Sequence, residues 1–103
     1  MRIDVDYLVM GSGIAGLFFA IQAAECGRVA VVTKRDRSES NTRYAQGGIA
    51  AVMDRADSVA RHARDTELAG AGICRTSVVE SVIAEGPAVI DQLVKLGARF
   101  TRD

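Results

Sequence analysis

"VDYLVMGSGIAGLFFAIQAAECGRVAVVT", residues 5–33, decides the fold. Its opening "VDYLVM", 5–10, is a short, mostly apolar run ending at glycine and reads as a buried parallel strand. From Ile14 the apolar positions Leu17, Phe18, Ile21 and Ala24 recur at helical spacing, and Gly27 supplies a stop. "RVAVVT", 28–33, reads as a second strand. Strand, glycine turn, helix and strand within about thirty residues make a βαβ unit, whose crossover should be right-handed. The class is therefore α/β.

Between the first strand and the helix, "GSGIAG" sets Gly11, Gly13 and Gly16 in G-x-G-x-x-G spacing. In a dinucleotide fold the first glycine permits the tight turn, the second lets a pyrophosphate approach the backbone, and the third lets helix and strand pack closely. Free N–H groups and the dipole at the helix N-terminus favour the phosphates. Many such folds place an acid at the end of the second strand, about 20 residues on, to hold a ribose hydroxyl. Here Thr33 and Lys34 stand in that place and Asp36 lies further along. A lysine has no acceptor for a ribose hydroxyl, so simple NAD binding is disfavoured.

Residues 34–53 lack periodicity and read as a long loop, with a short helix expected from Ile49; loops of that length are usually functional or disordered. A helix is expected from Asp57 or Ser58, with Val59, Ala63 and Leu68 on one side, ended by "AGAG", 69–72. Ser77 and Glu80 have capping-box spacing and open an apolar series at Val78, Val79, Val82 and Ile83. Pro87 is expected to break or restart that helix, which continues through Val89, Ile90, Leu93, Val94 and Leu96 to Gly97. The whole aliphatic series from Val78 to Leu96 reads as core packing. "ARFTRD", 98–103, looks like the start of an extended segment. Two good strands are fewer than a doubly wound sheet uses, so the chain is expected to hold only part of such a domain.

Composition narrows the function classes. The chain has 103 residues, 49% hydrophobic, with 13 Lys+Arg against 13 Asp+Glu. A neutral balance without a basic run argues against nucleic acid as a partner. The apolar run Ile14–Ile21 falls short of the roughly 20 residues that span a bilayer. Arg2, Asp4 and Asp6 interrupt what a secretory signal would need, so a cytoplasmic location is expected. Cys26 and Cys74 are too few and too separated for a disulfide framework or a zinc site, and are expected to be buried structural thiols. His62 has no convergent partner and reads as structural or solvent-facing. Arg55, Arg61, Arg64 and Asp65 read as a solvated face.

Taken together, "YLVMGSGIAGLFFAIQAAECGRVAVVTK", "SNTRYAQGGIAAV" and "HARDTELAGAGIC" resemble the N-terminal part of the L-aspartate oxidases, flavoproteins related to the succinate dehydrogenase and fumarate reductase flavoprotein subunits. The resemblance covers nearly the whole chain, and the AQGG block at this distance after the second strand is its more specific part. It implies a fold: residues 1–103 would be the N-terminal βαβ part of a Rossmann-like FAD-binding domain, incomplete in this chain, with capping and C-terminal helical domains absent.

The resemblance also implies a site. Gly11, Ser12, Gly13, Ile14, Ala15 and Gly16 would line the pyrophosphate turn, and Lys34 would lie by the adenosine. Asn41, Thr42, Arg43, Tyr44, Ala45, Gln46, Gly47 and Gly48 would wrap the flavin. Gly47 and Gly48 suit a close backbone approach to the ring, and Asn41, Thr42 and Gln46 offer side-chain hydrogen bonds. In the respiratory relatives the position of Asn41 resembles a histidine that bonds covalently to the flavin. Asparagine implies non-covalent FAD.

The implied activity is oxidation of L-aspartate to iminoaspartate with oxygen or fumarate as electron acceptor, the first step of NAD biosynthesis through quinolinate, with a functional link to quinolinate synthase. Two alternatives stand beside it: a soluble fumarate reductase or succinate dehydrogenase-type flavoprotein, and a non-catalytic nucleotide-binding module. No catalytic residue and no metal ligand is identified. The 103 residues alone are expected to bind flavin weakly and not to turn over.

Overall fold

A computed structural model describes residues 1–34, 36, 40–45 and 48–101. The chain is mixed α/β and divides into two compact units, Met1–Gly47 and Gly48–Asp103.

In the first unit, β1 (Tyr7–Met10) leads through α1 (Ile14–Ala23) to β2 (Val29–Val32), followed by the single-turn α2 (Asn41–Tyr44). The strands pair in parallel, with Tyr7 opposite Val29 and Met10 opposite Val32. At one end Asp6 and Tyr7 both donate their N–H to the Arg28 carbonyl, and at the other Gly11 N–H donates to the Val32 carbonyl at 2.8 Å. The Asp6 carboxylate accepts the Arg28 N–H at 2.7 Å and fixes where β2 begins. Gly27 gives it room, since a Cβ there would come within 2.9 Å of Asp6 Oδ2.

The strand buried on both faces is corrected. Val9 is 8% exposed, but its neighbours Leu8 and Met10 are 62% and 85% exposed. Side chains alternate across a strand, and α1 covers one face only. The packing face of α1 also differs from expectation. Ala20 and Ala23 are buried and Gly16 half-buried, whereas Leu17, Ile21 and Ala24 are exposed; Phe18 is half-buried. Residues 14–21 are apolar all round, so periodicity cannot select a face, and close approach to the strands favours the small residues. Phe19 turns back to meet the Tyr7 ring edge-on at 6.2 Å.

In the second unit, α3 (Val59–Ala69) packs against α4 (Thr76–Lys95). Ser58 caps α3 by accepting the Arg61 N–H at 3.2 Å, as the expected start requires. The helix ends at Gly70, within the expected "AGAG". Val59, His62, Ala63, Thr66 and Glu67 form its covered stripe, while Leu68 is 70% exposed. At about 100° per residue Leu68 lies opposite Val59, which is why it does not share that side. The charged residues Arg55, Arg61, Arg64 and Asp65 are exposed, as expected.

Four further expectations are corrected here. No capping box forms, because Arg75 is the N-cap, with extended backbone and no side-chain cap, and Ser77 already lies inside the first turn. Pro87 does not interrupt α4, which runs for 20 residues through it, although Pro87 has no N–H to offer the Ile83 carbonyl. Ile49–Met53 form no helix, and Ala51 instead packs beside Gly86, with 3.5 Å from its Cβ to where a Gly86 Cβ would stand. Residues 98–101 form no strand, and the described residues of this unit contain none for it to pair with.

The aliphatic series of α4 is also less buried than expected. Ile83 is buried and Val79, Val89, Ile90 and Leu93 are half-buried, but Val78, Val82, Val94 and Leu96 are exposed. One helical neighbour covers one stripe and no more. The end of α4 is as the sequence indicates. Ala98 N–H reaches the Leu93 carbonyl and Gly97 N–H the Val94 carbonyl, with Gly97 at φ +100°, which is a Schellman motif.

Candidate functional site

The turn between β1 and α1 is built by its glycines in three different ways. Gly11 adopts φ +111°, a region that side chains disfavour, and so lets the chain leave β1. Gly16 is required by contact, because a Cβ there would stand 2.8 Å from the Gly11 carbonyl oxygen and 3.2 Å from Val9 Cγ1. Gly13 is neither strained nor crowded. Its φ of −72° and ψ of 171° suit any residue, and the nearest atom to its missing Cβ is Thr42 Oγ1 at 3.5 Å. The fold itself does not require a glycine at 13.

Two hydroxyls frame this turn. Ser12 is 5% exposed and its Oγ donates to Thr33 Oγ1 at 3.4 Å, joining the turn to the end of β2. Thr42 Oγ1 accepts the N–H of Ile14 at 3.0 Å, across 28 residues of sequence. Gly13, the N-cap of α1, has no side chain to cap that helix, and Thr42 supplies an acceptor from α2. In turn α2 starts at Ser40, whose Oγ accepts the Arg43 N–H at 3.3 Å.

The structure thus brings Gly11, Ser12, Gly13, Ile14 and Thr42 together, with Ala15 and Gly16 in the first turn of α1. Lys34 is exposed just beyond β2. Asn41, Arg43, Tyr44 and Ala45 are exposed in and after α2. Gly48 is exposed, with nothing within 4 Å of where a Cβ would stand. Gln46 and Gly47 lie outside the described residues. Neither the Ser12–Thr33 pair nor the Thr42–Ile14 bond was anticipated. Ser40 ahead of "NTRY" was a legible N-cap signal for α2, whereas the hydroxyl contacts join distant positions and leave no local signature.

The expected burial of both cysteines is corrected. Cys26 is exposed in the turn after α1, and Cys74 is half-buried with its thiol 3.8 Å from the Thr66 carbonyl oxygen.

A family model described as FAD binding domain matches residues 6–103. The chain belongs to the FAD binding domain family. FAD is the cofactor that this membership assigns. Among curated proteins, the chain is 50% identical to the L-aspartate oxidase, chloroplastic, of Arabidopsis thaliana over 95 residues, 92% of this chain and 15% of that protein. It is 46% identical to the L-aspartate oxidase of Vibrio cholerae over 98 residues, 95% of this chain and 18% of that protein. It is 50% identical to the L-aspartate oxidase of Mycobacterium leprae over 92% of this chain and 19% of that protein. The resemblance to L-aspartate oxidases is borne out, and the chain spans less than a fifth of these relatives' length.

The residues present fit the cofactor. Gly13 leaves open, beside the first turn of α1, a space that a Cβ would take and that the protein does not fill. First-turn N–H groups have no acceptor within their own helix and suit a diphosphate. Among the described residues no helix is long and apolar enough to cross a membrane.

Proposed function

We propose that this chain is the N-terminal portion of a Rossmann-like FAD-binding domain in an L-aspartate oxidase. The observation that carries the proposal is the 44–50% identity to proteins of that name over more than nine-tenths of the chain. The parallel β1–α1–β2 arrangement and its glycine turn support the Rossmann-like part.

Within this reading, residues 11–16 would hold the diphosphate, with no side chain at Gly13 to keep it off, while the Gly11 and Ile14 N–H groups stay engaged by the Val32 carbonyl and Thr42 Oγ1. Lys34 lies on the adenosine side. Residues 41–48 form the collar of the ring, and the Asn41 amide hydrogen-bonds without a covalent link. When bound, FAD supplies the hydride acceptor for the Cα–H of L-aspartate, which becomes iminoaspartate, and oxygen or fumarate takes up the electrons. This oxidation would be the first step of NAD biosynthesis, and its product would pass to quinolinate synthase. The proposed compartment is the cytoplasm, although the plant relatives are named chloroplastic.

Two assays on the whole protein test this. Acid precipitation should leave free FAD in the supernatant; a yellow pellet would count against non-covalent binding at Asn41. L-Aspartate should yield hydrogen peroxide in air and, in a separate anaerobic experiment, bleach the flavin. Bleaching by succinate but not by aspartate would favour the fumarate reductase alternative instead.

A further inference from the structure

Thr42 is a collar residue tied to the glycine turn by a hydrogen bond, with its Oγ1 3.0 Å from the Ile14 nitrogen. The contact lies where α1 lacks its own cap, since Gly13 has no side chain to offer. The same oxygen lies 3.5 Å from the place of a Gly13 Cβ, over the open part of the turn. On the other side, α2 is a single turn that buries no residue, so burial does not hold it in place.

We propose that Thr42 is a positioning residue that holds the flavin collar in register with the diphosphate turn, so that both ends of one dinucleotide are bound together. This inference rests on the FAD reading and assigns Thr42 a task within it. A ligand that spans two subsites gains affinity from their fixed spacing, whereas a ligand that fills only one does not. Removing the hydroxyl therefore weakens FAD and spares a half-ligand. Had Thr42 served as a direct diphosphate contact, ADP would suffer equally.

The test uses the whole protein with Thr42→Ser, which keeps the hydroxyl, and Thr42→Val and Thr42→Ala, which remove it. Thr42 is exposed, so these changes leave the core untouched, and thermal unfolding checks each variant. Dissociation constants for FAD and ADP are measured by calorimetry, and amide exchange is followed without ligand. With Val or Ala, FAD is expected to bind about tenfold or more weakly and ADP within about twofold, with Ser close to wild type for both. Exchange at Ile14 and across 41–45 should rise in Val and Ala and return in Ser.

FAD affinity within twofold of wild type in Val and Ala, or unchanged exchange at Ile14 and 41–45, would overturn the proposal. Equal losses for FAD and ADP would overturn it in favour of direct contact. A wild-type protein that binds no FAD would defeat the FAD reading itself, which is a different result from wild-type binding that Thr42 does not affect.

Discussion

The carbonyl oxygen of Gly11 lies 2.8 Å from the position that a Cβ on Gly16 would occupy. These glycines, the first and third of the turn, therefore depend on each other. Gly11 turns the chain at φ +111°, its carbonyl ends up against the first turn of α1, and only a residue without a side chain fits there.

Gly16→Ala should consequently destabilise the protein by about 1–3 kcal/mol, because the obstacle is backbone and cannot swing aside. Denaturant unfolding measures this. Gly11→Ala should fall in a similar range, about 1–3 kcal/mol, for a different reason: its Cβ meets nothing, but its φ is strained. An unchanged midpoint for Gly16→Ala would contradict the packing described here.

Gly13→Ala is expected to separate ligand from fold. Its Cβ would make an ordinary contact with Thr42 Oγ1 at 3.5 Å, so the loss of stability should be no more than the roughly 1 kcal/mol by which Ala is a poorer N-cap than Gly. FAD should bind about tenfold more weakly, because the methyl group occupies the space proposed for the diphosphate. A larger loss of stability with unaltered FAD affinity would reverse that assignment.

Gly70 and Cys74 form a second interdependent pair, in which the Cys74 thiol already fills the space of a Gly70 Cβ. Gly70→Ala alone should destabilise by about 1–3 kcal/mol. Cys74→Ala removes the sulfur, so the double variant should be more stable than the sum of the single changes predicts, by roughly 0.5–3 kcal/mol. Additive effects in the double-mutant cycle would show that the two residues do not compete for one space.

The two thiols should differ towards a thiol-reactive probe under native conditions. Cys26 is exposed and should label first, while Cys74, half-buried and directed at the Thr66 carbonyl, should lag. Mass spectrometry of partly labelled protein gives the order. Preferential labelling of Cys74 would contradict it.

Sequence alone made the ends of elements legible where a local signal sets them. Ser58 as an N-cap, Gly97 as a C-terminal stop and the strands flanking "GSGIAG" all act within a few residues. Burial was less legible. Leu17 and Ile21 looked like core because α1 is apolar all round, and Val78 and Val82 because α4 is strongly aliphatic, yet all four are exposed. A sequence states which residues would be buried if a partner were present, not how much partner surface there is.

The same division runs through the candidate site. The glycine spacing after a strand marks out a dinucleotide-type turn, because backbone conformation restricts residue choice at the position itself, whereas the collar at the AQGG block is what the family resemblance implies. What only the tertiary structure decided is which glycines the packing of the turn requires, and that α2 is tied to the turn by a hydrogen bond. Gly16 faces the Gly11 carbonyl, Gly13 has only Thr42 Oγ1 in ordinary contact with the place of its Cβ, and Thr42 reaches Ile14 across 28 positions of chain. Such contacts depend on where folding places distant segments, so local sequence patterns do not reveal them.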